Sequence, residues 1–169
     1  MEEPEVWLRG PISNIPPLLQ PVAHAILQSA EDVERSMKEF PPEKLWERPA
    51  GVASPGFHLQ HLSGVLDRLF TYARGEGLSQ DQFEYLKQEG SPPPGQVSIS
   101  EFTSHFKRQV EQCLRQLERT GENELLKPIG VGRKKLPSNV LGLLFHAAEH
   151  TQRHTGQLIV TVRVLSEPL

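Results

Sequence analysis

The chain has 169 residues, with 18 Lys and Arg against 21 Asp and Glu, and a formal net charge of −3. That length fits one domain with a real core, residues 1–169, and the charge balance argues against a dedicated polyanion binder, so no nucleic-acid partner is expected. The single cysteine, Cys113, excludes an internal disulfide, and no apolar run reaches the roughly 20 residues needed to span a bilayer.

The N-terminus, MEEPEVWLRG, is acidic and lacks the apolar stretch of a signal peptide. A cytoplasmic protein with no membrane partner is the expectation. Residues 1–15 read as an irregular arm. Pro16-Pro17 opens a helix running to about Phe40, with Leu18, Val22, Ala25, Ile26, Ser29, Val33 and Met37 at 3–4 spacing, and Pro41-Pro42 stops it. Ser54-Pro55 supplies the N-cap and first-turn proline of a second helix, which Gly75 ends. A short helix at 79–88 precedes Gly90-Ser-Pro-Pro-Pro-Gly95, which must be a connection. Ser98 or Ser100 caps a third long helix to about Thr120, where Cys113 sits on the apolar stripe as a core thiol. Residues 127–136 are turn-rich and include Arg133-Lys134-Lys135, a solvated basic run. Pro137-Ser138 then begins the last long helix, to about Leu165. Four amphipathic helices with one long crossover define an all-α four-helix bundle.

Five of the seven histidines fall in two stretches, FHLQHLSGVLDRL and HAAEHTQRHTGQL. Histidine is the commonest metal ligand, and two at i and i+4 project from nearly one face of a helix. His146, His150 and His154 cannot all hold one ion, since the outer two are about 12 Å apart along the axis. His150 and His154 lie in line with Leu143, Ala147 and Leu158, the inward stripe, and His146 falls at its flank. On the second helix His61 shares a stripe with Leu62, Val65 and Leu69, and periodicity alone does not separate it from His58. His61 is early in its helix and His154 late in its own, so antiparallel packing would bring them level. His24 and His105 read as ordinary histidines. His146-Ala-Ala-Glu149-His150 matches the H-x-x-E-H protease pattern, but that pattern needs an acidic ligand well downstream and only 19 residues follow. A di-iron bundle needs Glu-x-x-His, which the chain lacks.

With these residues the sequence resembles the DinB-like superfamily of metal-binding four-helix bundles. His146 to Gln157 match its H-x-x-x-H-x-x-x-H-x-G-Q pattern, and His61-Leu62 with Asp67 resembles its second-helix motif. The resemblance places the metal triad on His61, His150 and His154. His58 stands where the family more often has an apolar residue, as a partner, a fourth ligand or filler. Ala53 and Thr155 also depart from the family, which bears on the substrate pocket. The resemblance further implies a divalent ion (zinc or nickel foremost), a low-molecular-weight thiol, a small-molecule substrate and a homodimer. Such an ion would activate a thiol or water, as in an S-transferase or a hydrolase. Glu149, Gln157 and Asp67 are candidates to orient the ligating histidines. The alternative is a non-enzymatic dimeric bundle, metal-binding or metal-free, with a structural or stress-response role.

Overall fold

The computed structural model describes residues 3–95 and 97–166. Residues 1 and 2 of the expected arm lie outside them. The rest of the arm is less irregular than the sequence suggests. Val6–Arg9 form a 3-10 turn with Val6 buried, the Val6 N–H donates to Gln28, and Arg9 makes a forked ion pair with Glu31.

Helix α1 spans Gln20–Met37 and follows a proline-led 3-10 turn at Pro17–Leu19, which is why it starts later than Pro16-Pro17 implies. Its apolar spacing buries Val22, Ile26, Ser29, Val33 and Met37. Helix α2 spans Pro55–Ala73, capped by the Ser54 hydroxyl, which accepts from the Phe57 N–H at 3.2 Å. Gly56 on α2 faces the Trp46 ring, and a Cβ there would stand 2.6 Å from it. Helices α3 (Gln80–Gln88) and α4 (Ile99–Arg119) each open with a capping box, Ser79 with Gln82 and Ser98 with Glu101.

The turn-rich segment is a hairpin, β1 (Pro128–Val131) against β2 (Leu136–Asn139), antiparallel with Gly130 opposite Pro137. Pro137-Ser138 therefore do not begin the last helix. Strand β2 takes them, and α5 runs Val140–Ser166, where the Asn139 side chain accepts from the Gly142 N–H at 2.7 Å. Arg133, Lys134 and Lys135 are exposed at the hairpin turn.

The four long helices close into a ring, α1 against α5 and α4, α2 against α5 and α4. The end of α2 lies beside the start of α5, since Ala73 and Val140 line one cleft, while His58 meets His154, so these two helices are antiparallel. Gln116 of α4 donates to the Phe70 carbonyl near the end of α2, and both helices approach Trp46 near their starts. They are thus parallel, and α3 lies in the long crossover between them. Phe70, Phe106, Leu19, Ile26, Leu59, Leu62, Leu117, Leu144 and Leu158 fill the centre. Cys113 is buried there, and burial pushes its thiol pKa up, as expected of a core residue.

Candidate metal centre

Antiparallel packing of α2 on α5 brings His61 between His150 and His154. One donor atom from each of the three lies within 4.8 Å of the others. The ring centroids of His61 and His154 are 4.4 Å apart, and those of His150 and His154 are 4.6 Å apart. His61 Nε2 is 2.9 Å from His150 Nε2. Two nitrogens on a shared ion at about 2.0–2.1 Å would be roughly 2.9–3.4 Å apart for angles between square and tetrahedral, so this pair fits a common ion.

His61 is the most firmly held of the three. Phe57 stacks on its ring at 5.2 Å with an 11° interplanar angle. Its Nδ1 donates to Glu89 Oε2 at 2.7 Å, and Arg68 holds the other carboxylate oxygen at 2.6 Å. A carboxylate only accepts, so the His61 proton sits on Nδ1 and the Nε2 lone pair faces the other histidines. The Glu89 side chain is 4% exposed. It reaches α2 because residue 64 is glycine: a Cβ there would collide with the Glu89 carboxylate and the Arg68 guanidinium. Gln60 anchors the same segment, accepting from the Gly90 N–H at 2.7 Å and donating to the Ser91 carbonyl at 3.0 Å.

His58 is buried, with its Nδ1 3.2 Å from His154 Nδ1. Burial, then the neighbouring His61, lowers its pKa to about 4. Burial, then His61, His150 and His58, lowers that of His154 to about 3. The same desolvation lowers His150, with His61 next in weight. These rings are lone-pair donors at neutral pH, the form a cation requires. His150 Nδ1 is buried without a hydrogen-bond partner.

Three residues read from the sequence as orienting groups are placed elsewhere. Asp67 accepts from Gln82 at 2.8 Å, because six residues from His61 is about 240° around the helix. Glu149 bonds His146 and Arg153 and not a member of the triad. Its carboxyl is raised by desolvation, but those hydrogen bonds outweigh that and hold it below the usual range. Gln157 lines a cleft with His58 and makes no hydrogen bond to a histidine. The residue that orients His61 is Glu89, which the sequence reading missed. The signal was on α2: His61, Gly64 and Arg68 share a face, and an arginine on a buried face needs an acid. His146 is half-exposed, consistent with its place at the flank of the stripe. His24 Nε2 is 3.1 Å from the Gly10 carbonyl, and His105 stands edge-on to Tyr85.

The family model of the DinB superfamily matches residues 25–158, from α1 through the histidine repeat of α5. The chain belongs to the DinB superfamily. No curated protein matches it. A crystal structure of a protein from Streptococcus pneumoniae is similar, with a TM-score of 0.59 and 12% identity over 85% of this chain and 87% of that one. That likeness concerns the fold alone. Within this DinB-superfamily bundle the α2–α5 seam carries the whole triad. Among the described residues no helix is long and apolar enough to cross a membrane.

Proposed function

We propose that this DinB-superfamily protein is a metal-dependent enzyme, with one divalent ion, zinc or nickel, held by His61, His150 and His154. The observation that carries this reading is the meeting of the three histidine donors, with the His61 lone pair turned inward by the buried Glu89. A divalent ion on three imidazoles supplies a Lewis acid with open positions, and lowers the pKa of bound water or thiol toward 7. His58 serves as an anchor for His154, accepting the Nδ1 proton so that Nε2 of His154 is free to ligate. A small substrate would lie in the cleft of about 510 Å³ beside His58, whose walls Val52, Ala53 and Val160 are apolar and whose rim carries Arg153 and Gln157. The reaction class is thiol transfer to an electrophile, or hydrolysis.

The test is metal content by mass spectrometry on untagged protein, for wild type and for His61→Ala, His150→Ala, His154→Ala and His146→Ala. About one ion per chain is expected, lost in the first three variants and kept in the fourth. Loaded protein is then assayed for consumption of low-molecular-weight thiols against electrophiles and for ester and amide hydrolysis. No ion in wild type after reconstitution with zinc and with nickel would overturn the reading. A bound ion with no turnover, whose removal only destabilises the fold, would make the site structural.

A further inference from the structure

Helix α5 carries a second set of donors, one turn toward its start from His150. His146, Glu149 and His150 each bring one ligand atom within 4.8 Å of the others. The spacing i, i+3, i+4 puts all three on one helical face. This is the H-x-x-E-H segment of the sequence. The set is graded from solvent inward. The His146 side chain is 50% exposed, that of Glu149 is 32% exposed, and His150 Nδ1 is buried and unpartnered. His150 belongs to both sets, and its ring centroid is 5.2 Å from that of His146 and 5.2 Å from that of His61.

We propose that His146 and Glu149, with His150, form an outer capture site through which a divalent cation reaches the triad. The inference rests on reading the triad as a metal site. Glu149 is the only carboxylate in the two donor sets, and a negative group at the mouth raises the local concentration of a cation. The outer set is nonetheless built to be the weaker. Arg153 donates to both Glu149 oxygens, at 2.8 and 2.6 Å, so a cation there must compete with a guanidinium for its only charged ligand. The triad has no such competitor, and His61 is polarised by Glu89 behind it. Because His150 is common to both sets, exchange of His146 and Glu149 for His61 and His154 never leaves the cation without an imidazole. Arg153 then recovers its carboxylate, which favours passage inward.

A transit site changes rates without changing the equilibrium, and the experiment reads both. Full-length protein stripped with a chelator, its helicity checked by circular dichroism, is mixed with zinc delivered from a chromophoric chelator in stopped flow. The comparison covers wild type, His146→Ala, Glu149→Gln and Arg153→Gln. His146→Ala and Glu149→Gln are each expected to slow zinc uptake on the order of tenfold. They should slow chelator-driven loss by the same factor and leave the equilibrium affinity unchanged. Arg153→Gln leaves nothing to reclaim the Glu149 carboxylate, so it is expected to slow transfer from the outer set to the triad. Wild-type rates in His146→Ala overturn the capture site, including the case in which Glu149→Gln alone is slow, since that is charge steering without coordination. A fall in affinity matching the fall in uptake rate also overturns it, because His146 or Glu149 would then belong to the final site. If wild type takes up no zinc at all, the triad reading fails and the route fails with it; wild-type uptake with unaffected variants removes the route alone.

Discussion

Glu89 decides which nitrogen of His61 carries the proton, and its loss should be felt in two separable ways. Glu89→Gln keeps the shape but removes the charge that polarises His61, so zinc affinity measured by chelator competition should fall about 10–100-fold. Glu89→Ala also leaves the Arg68 guanidinium buried without a partner, and urea unfolding should show a loss of about 3–5 kcal/mol. The pair His150 and His154 was legible in the sequence because i, i+4 spacing and an apolar stripe are properties of a single helix, whereas only the family resemblance separated His61 from His58. Glu89 was not, because its role depends on where a short helix 28 residues downstream docks. Away from the site, burial lowers the His105 pKa from its ordinary 6.5, with Arg108 adding to the shift. The folded protein therefore binds fewer protons than the unfolded chain below that value, and stability is lost as pH falls through about 6.5 toward the folded pKa. His105→Gln should flatten part of the fall in urea midpoint between pH 7.5 and pH 5.

The ends and contacts of the elements follow local chemistry, and here too the sequence was readable where the signal was local. Of the two candidate caps, Ser98 and Ser100, the cap is Ser98: its hydroxyl accepts from the Glu101 N–H and its own N–H donates to the Glu101 carboxylate. Ser98→Ala should cost about 1 kcal/mol in thermal or urea unfolding, with no effect on metal affinity. Pro137-Ser138 misled, because a proline followed by serine also suits an exposed strand, and pairing with β1 decides between the two. Gly64 is the element-level device that seats the end of α3 on α2. Gly64→Ala improves helix propensity, yet its methyl group would push Glu89 and Arg68 away. A net destabilisation of about 1–3 kcal/mol is expected, together with weaker zinc binding. An exposed control, Gly156→Ala, meets nothing within 4 Å and should stabilise or be neutral.

For the molecule as a whole, a ligand that binds only the folded state raises stability by mass action. Free zinc at about 100 times its dissociation constant should add about 2.7 kcal/mol, read as a rise in Tm. The rise should vanish in His150→Ala and survive in His146→Ala. The ring of four helices was foreseeable from four amphipathic stretches, but the parallel course of α2 and α4 was not, since no local pattern records which way a crossover returns. That course has a consequence for how the chain is assembled. His61 and His150 are 89 residues apart, so their meeting closes a loop that holds the crossover and the hairpin, and it needs α5 docked on α2. A cation held there would act as a clasp fastened only after α5 has docked. Loading would then report the docking of α5 on α2, and the seam would part less readily while the ion stays bound.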